Sequence, residues 1–390
     1  MFKNCGLLGI LRKSLSYVLV AVVASAVTLA IWGERDTKLS QLKKVIDKNF
    51  VDQADMGKVE DAAASAMVNA LGDRWSYYIS AEDYAAYQEN KNNAYVGVGV
   101  TIVAREDGTG FDIEDVTPGS SAKEAGILPG DILIEAQGKP TGDMTSDDLR
   151  ETIGGKKGAT VSLTVLRNGE KLTFNLTLRE IKVEVASGEL LPGNIGLIRI
   201  VNFNANCAKE TIALVDSLRK QGADKLIFDV RNNPGGYVNE MVKVLDYLLP
   251  EGVVYRDLDN RGNEGERRSD AACVELPMAV LVNGSSYSAA EFFAAVLQEF
   301  EWAAVVGEKT TGKGHYQNTI RLSDGSAVNL STGKYFTPSG KNLTQTGGIT
   351  PEVTVEVDKE TAAQIKSHTI TSADDPQIQA TVKYLQENKG

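Results

Sequence analysis

Three short segments of this 390-residue chain carry side chains and turns suited to acyl chemistry. The first, MAVLVNGSSYSAAEFFAAVLQ, runs from an apolar strand through a small-residue turn into a helix and sets Ser285, Ser286 and Ser288 at the helix start. A helix N-terminus favours developing negative charge. A serine there also serves as an N-cap, so the turn admits both readings. The second segment, VVGEKTTGKGHYQ, places Lys313 between Gly312 and Gly314 after a strand-like run. A serine hydroxyl needs a base, and His315 and His368 are the only histidines in the chain. Lysine is then the available base, provided that burial beside Val305, Val306 and the turn glycines draws its pKa down from ~10.4. Gln317, four positions on, is a neutral group suited to hold the amine without raising that pKa. An ordinary loop lysine is the alternative. The third segment, KLIFDVRNNPGGYVNEMV, ends a strand in Asn232-Asn233-Pro234-Gly235-Gly236 and starts a helix at once. A Gly-Gly turn of this kind aims backbone N–H groups into a cleft, as an oxyanion hole requires. A plain connector or a phosphate cradle are the other readings, and no GxxxxGK[ST] motif supports the cradle.

Elements of two kinds must position these segments. From Lys38 to about Asn90, apolar residues recur at three- and four-residue spacing, which predicts a small helical segment suited to an adaptor or dimerisation role. Gly72-Asp73 punctuates it, and WSYYIS followed by AEDYAAYQEN resumes a second helix with Ser80 as N-cap. From about Tyr95 to Glu180, runs such as VGVGVTIV, FDIEDV, DILIEA and VSLTVLR separated by glycine turns predict a small inserted β domain. From about Gly196 onward strands alternate with helices, the pattern of an α/β layer with right-handed crossovers. The polar stretch Asp257 to Ala272 reads as a surface loop, and DDPQIQATVKYLQEN as a closing helix.

Taken together and in order, the motifs resemble the C-terminal processing peptidases, the tail-specific protease family with a PDZ domain. DVRNNPGG matches its two-glycine strand-turn signature, Ser286-Tyr287-Ser288-Ala289-Ala290-Glu291 its nucleophile segment, and Gly307 to Gln317 its GxxTxGKGxxQ segment. The tail TGKYFTPSGKNLTQTGGITPEV matches a further Y-x-T-P-x-G pattern. The resemblance covers almost everything after residue 38. It implies an α/β core similar to the crotonase and ClpP-like fold with an inserted PDZ domain and an N-terminal helical segment. It also implies a nucleophile at Ser288, a base at Lys313 supported by Gln317, and an oxyanion hole from the N–H groups of Gly236 and Ala289. Tyr95-Val96-Gly97-Val98-Gly99 stands at the PDZ carboxylate-binding loop, with GSSAKEAGILPGDILIEAQG as a second hallmark. Exposed amides there would capture a peptide C-terminus while the peptide adds as a strand. This chain departs from the pattern at Tyr287, which borders the nucleophile and narrows the cleft, at Ala290 and Glu352, and at Gly154, where many relatives carry an arginine. The implied domains are a signal anchor 1–35, a helical segment 36–92, a PDZ domain 93–181, a peptidase core 182–358 and a C-terminal helical segment 359–390.

Composition narrows partners and compartment. A net charge of −11 repels a phosphate backbone, so nucleic acid is excluded as a partner. The cysteines at 5, 207 and 273 form no framework; Cys207 and Cys273 either pair in an oxidising compartment or stay as buried thiols. No CxxC or His/Cys cluster offers a metal site, and no cofactor is expected. Lys3, Arg12 and Lys13 precede the uncharged run Ser14–Trp32, long enough to span a bilayer with the rest of the chain exported. Ala24-Ser25-Ala26 resembles a signal-peptidase site but falls inside that run, so an uncleaved anchor is the reading preferred. The expected activity is therefore serine-type endoproteolysis of exported proteins with unstructured apolar C-termini, at the outer face of a membrane and in a possible homodimer. A catalytically dead PDZ scaffold and a crotonase-type acyl-CoA enzyme are the competitors. The anchor weighs against the second, because acyl-CoA chemistry belongs in the cytoplasm.

Overall fold

The computed structural model describes residues 37–388 and Val22. The anchor expectation for Ser14–Trp32 therefore lies, Val22 apart, outside the described residues. Among the described residues no helix is long and apolar enough to cross a membrane. The chain divides into two units at Leu71/Gly72.

Helices Lys38–Asn49 and Met56–Asn69 lie in the first unit. Each is started by a side-chain cap, Thr37 accepting from the Ser40 N–H and Asp55 from the Lys58 N–H. Leu39, Leu42 and Val45 recur at helical spacing on the first and are exposed.

The second unit opens differently from the expectation. Tyr77–Ile79 is a strand, paired antiparallel with Ala327–Phe336 in the register Tyr77 to Asn329. Aromatic side chains fit a pleated, half-buried surface better than a helix start. The helix that follows, Tyr84–Asn92, has Asp83 at its N-cap, and Ser80 spends its hydroxyl on the preceding turn, bonding the Asp83 N–H and carboxylate. The ribbon Ala94–Gly97 with Arg179–Lys182 then opens and closes an inserted domain. Its sheet runs in the order Val100–Ala104, Phe111–Val116, Ile132–Ala136, Thr160–Arg167, Glu170–Thr177, with Lys139–Pro140 beside the third strand. Helices Ser121–Ala125 and Ser146–Ile153 accompany it, and Phe111, Ile113, Leu133 and Leu163 fill its core.

After the hairpin Ala186–Leu191/Ile195–Ile200, five strands lie parallel in the order Ile195–Ile200, Lys225–Asp229, Met278–Val282, Ala303–Gly307, Val353–Thr354. Parallel neighbours need crossovers, and helices Cys207–Lys220, Val238–Leu248 and Ala289–Glu299 lie within them. Met278–Val282 and Ala303–Gly307 are buried throughout, which is why they read as unbroken apolar runs. Phe203, Phe228 and Phe293 meet at ring-centroid distances of 5.5 and 5.6 Å in the main core. The closing helix Pro376–Glu387 sends Ile378 and Leu385 into a second core with Ile227 and Leu281. Below the Gly-Gly turn, buried Arg231 pairs with Asp229 (2.7 Å) and Asp375 (2.8 Å), fixing that helix to the end of strand Lys225–Asp229.

The stretch Asp257 to Ala272 is not a loop: it falls in a hairpin of Gly252–Asp259 and Glu264–Ser269. Its charges are cross-strand partners, Arg256 with Glu266 at 2.7 Å, and Asp259 receives the turn amides of Arg261 and Asn263 at 2.8 Å each. This hairpin joins Ala327–Phe336, which also pairs His315–Arg321 and Tyr77–Ile79, in a second sheet. Mixed α/β architecture with an inserted small β domain is therefore what the chain adopts. Cys207 is buried and Cys273 half-buried, and both are free thiols, so the pairing alternative does not hold.

Candidate active site

Ser288 sits where strand Met278–Val282 turns into helix Ala289–Glu299, with φ 59° and ψ −125°. That is a strained backbone for a residue with a Cβ, of the kind stored at functional turns. None of the three serines caps the helix through its side chain: Ser288 is the N-cap residue but makes no capping bond. Ser286 is buried and donates to the Val230 carbonyl (2.7 Å), tying the turn to the neighbouring strand end. Asn283 binds the Asn232 N–H at 2.9 Å, so the serine turn and the Gly-Gly turn are locked together.

The Gly-Gly turn needs its glycines. Gly235 has φ 89°, and a Cβ there would lie 2.7 Å from the Ser288 Cβ and 2.8 Å from the Ala289 nitrogen. Gly236 has φ 155°, and a Cβ would lie 2.3 Å from the Phe203 carbonyl carbon. Among the described residues no protein acceptor takes the N–H of Gly236 or of Ala289. Two amides beside the serine are thus left to bind an outside oxygen.

Lys313 is 7% exposed. Burial, and next the charge of Lys91, bring its pKa down to about 8, with Arg74 adding to them and Asp73 and Glu291 opposing. Its desolvating neighbours are aromatic: Nζ lies 4.4 Å from the Trp75 ring centroid and 5.9 Å from that of Tyr287. These two rings lie 5.4 Å apart, so Tyr287 does wall the cleft, together with a tryptophan that sequence reasoning had not singled out. Glu291, fully buried on the helix that Ser288 opens, accepts from the N–H of Gly312 (2.7 Å) and Lys313 (2.9 Å) and from the Thr310 hydroxyl. One carboxylate thereby fastens the lysine loop to the serine's helix. Burial raises the Glu291 pKa in spite of those bonds. Tyr335, 3% exposed, donates its hydroxyl to the Lys313 carbonyl and lines the same cleft as Ser288.

Gln317 lines the same cleft but does not hold the amine. Its Nε2 donates to the His315 carbonyl and the Ser331 hydroxyl, both at 3.0 Å, because a register shift between Tyr316 and Gln317 turns it along the strand. Ser288, Ala289, Gly236, Lys313 and Gln317 all face one cleft of about 1090 Å³. Tyr95–Gly99 lies outside it: Tyr95, Val96 and Gly97 belong to the ribbon, while Val98 and Gly99 are buried against Ser120 and Ser121. The Val98 and Gly99 carbonyls accept from Ala122 and Thr117 at 3.1 and 3.0 Å, and among the described residues neither N–H meets an acceptor. Trp75 and Lys91 escaped sequence reasoning, since neither stands in a motif, and Tyr335 entered it only as the tyrosine of the Y-x-T-P-x-G pattern, with no role given to it. Only the aromatic density of RWSYY hinted at a wall.

Chemically, the cleft offers a hydroxyl on a strained turn, a buried amine of lowered pKa and two acceptor-free amides. A family model described as peptidase family S41 matches residues 194–355, and a PDZ domain model matches residues 94–178. The chain is 33% identical over 359 residues to the carboxy-terminal processing protease CtpA of Bacillus subtilis (strain 168), spanning 87% of this chain and 76% of that protein. It is 30% identical over 339 residues to a CtpA-like serine protease of Staphylococcus aureus (strain COL), spanning 86% and 67%. Among solved structures, an S41 protease from Bacteroides fragilis NCTC 9343 superposes with TM-score 0.52 over 89% of this chain and 97% of that one, at 16% identity, a likeness of fold alone.

Proposed function

The chain belongs to peptidase family S41, with the carboxy-terminal processing serine proteases that carry a PDZ domain, and from that membership we propose that it cleaves polypeptides by a Ser288–Lys313 dyad. The observation that carries this reading is the lowered pKa of a buried lysine lining the same cleft as a strained serine. Protonated, Lys313 is held over the Trp75 face by the ring quadrupole. Without its proton the amine loses that hold and turns to Ser288 as general base. Ser288 Oγ then attacks the scissile carbonyl carbon while its proton passes to Nζ. The oxyanion forms against the N–H groups of Gly236 and Ala289. As it collapses the C–N bond breaks, Lys313 protonates the leaving amine, and Ser288 is left acylated. Water, deprotonated by Lys313, attacks the ester and releases the new C-terminus. Gln317 acts indirectly in this scheme, setting the strand next to the base through its bonds to His315 and Ser331.

Substrate recognition follows from the inserted domain. The acceptor-free amides of Val98 and Gly99, in the loop Tyr95–Gly99, take a terminal carboxylate, and the edge strand Val100–Ala104 receives the peptide as an added strand. The segment before residue 36 tethers the enzyme to a membrane with its catalytic unit outside the cytoplasm. The exposed Leu39, Leu42 and Val45 suit a homodimer contact. Fluorescence anisotropy with one apolar peptide, as free acid and as C-terminal amide, tests the grip. The free acid is expected to bind at least about tenfold more tightly, and equal binding overturns the PDZ part of the reading.

A further inference from the structure

Against an overall charge of −11, the cleft that holds Ser288 is lined by five cations, and Lys91 stands out among those with no role in the chemistry above. Lys91 stands in the last turn of helix Tyr84–Asn92 and lines the cleft. Its Nζ lies 5.8 Å from the Tyr87 ring centroid and 5.7 Å from that of Tyr237, between two flat walls. Among the described residues no carboxylate pairs with it. Glu89, two residues earlier, is turned away to the Val96 N–H at 3.1 Å. Glu240, also at the cleft, is held by Lys243 at 2.7 Å and by the Ala208 N–H at 3.0 Å. Asp257 acts on Tyr255 and Tyr316 across the cleft. Burial is the one influence that lowers the Lys91 pKa, as expected of an amine with no acid beside it. It lines the same cleft as Ser288 and Lys313, and among the charges there it is the one that acts most on Lys313.

A half-buried ammonium without a counter-ion costs free energy that an incoming anion recovers. The aromatic walls bracket a flat group, and the other cations of the cleft are engaged, Lys313 as base, Arg74 lying 4.1 Å over the Trp75 ring, Lys243 on Glu240 and Arg267 on the Glu266 carbonyl at 3.1 Å. We propose that Lys91 is the anion-recognition residue of the cleft, so that this enzyme selects polypeptides carrying a carboxylate close to the scissile bond. The proposal rests on the peptidase reading and adds to it a preference at the cleft itself, apart from the PDZ grip. The carboxylate is either an Asp or Glu side chain or the chain terminus, and the two sources are separable by experiment.

The full-length chain and its Lys91→Gln and Lys91→Glu variants are assayed on one cleavable fluorogenic peptide made in matched forms. These carry Asp, Asn or Lys at each position flanking the scissile bond, and a free or amidated C-terminus. At one position, or at the terminus, wild type is expected to favour the carboxylate by about tenfold in kcat/KM. Lys91→Gln brings that ratio to about one, and Lys91→Glu turns the preference towards the Lys peptide. The position or terminus at which the ratio appears identifies the carboxylate. Because ratios are taken within each protein, a smaller folded fraction cancels. Equal ratios in wild type and Lys91→Gln overturn the proposal. If wild type cleaves none of the peptides, the peptidase reading is what fails. The anion site is then decided by anisotropy on the Ser288→Ala chain with and without Lys91→Gln, where the same ratio in Kd supports it and its absence overturns it.

Discussion

Tyr335→Phe removes one oxygen from the centre of the site and leaves the ring packing intact. The ring is fixed by Phe292 at 5.2 Å and 87° and by Tyr255 at 6.3 Å, contacts that Phe reproduces. What is lost is the hydrogen bond from the phenol to the Lys313 carbonyl, in the cleft that Ser288 also lines. The buried carbonyl then lacks its donor, at a cost of about 1–3 kcal/mol in unfolding free energy. The Lys313 loop also loses a tie that sets the base in place, and one misplaced hydrogen bond of about 1.4 kcal/mol corresponds to about tenfold in rate. The expected outcome is a variant that unfolds at lower urea concentration, with kcat down about tenfold and KM unchanged, because the phenol is 3% exposed and is spent on the Lys313 carbonyl. Progress curves on a fluorogenic peptide and urea denaturation followed by circular dichroism measure both. A kcat within twofold of wild type in folded protein would refute the idea that Tyr335 orders the dyad.

Three further outcomes are expected. Lys313 acts as base only without its proton, and its pKa is lowered to about 8, so kcat/KM should rise about tenfold per pH unit from pH ~6 to ~8 and level off above ~9; a flat profile across that window contradicts the assignment. Gly235→Ala forces a Cβ to 2.7 Å from that of Ser288 at φ 89°, so peptidase activity should vanish and stability fall by about 1–3 kcal/mol or more, read by denaturation. Arg231→Met leaves buried Asp375 without its counter-charge and Asp229 with Arg199 alone at 3.3 Å, which should cost about 3–5 kcal/mol, whereas the triple change that also neutralises both acids should recover much of it.

Legibility followed sequence distance. The serine turn, the Gly-Gly turn and the lysine loop each sit at the end of a strong apolar strand, so local pattern placed them correctly, and their convergence follows from a parallel sheet whose strand ends share one edge. The surroundings of Lys313 were not legible. Trp75 arrives from the turn before strand Tyr77–Ile79, ahead of the inserted domain in sequence, and Tyr335 from a second sheet, contacts that no periodicity encodes. Gln317 illustrates the converse. Its spacing from Lys313 suggested contact, but the register shift at Tyr316 aims it at Ser331 instead. The Gly252–Asp259/Glu264–Ser269 hairpin was hidden by its charge, since a ribbon whose polar side chains pair across strands lacks the apolar alternation that marks a strand. Position 287 was a partial success: an aromatic beside the nucleophile does narrow the cleft, though it needs Trp75 to do so.

Cleavage itself tests the central claim most directly. An unfolded exported protein is incubated at pH ~8.5, above the lowered pKa, with wild type, Ser288→Ala, Lys313→Ala and the double variant, and new chain ends are mapped by mass spectrometry. The dyad predicts new ends with wild type and none with any variant, the double being no worse than either single because the two groups act as a unit. The same ends appearing at the wild-type rate with Ser288→Ala or Lys313→Ala would contradict it.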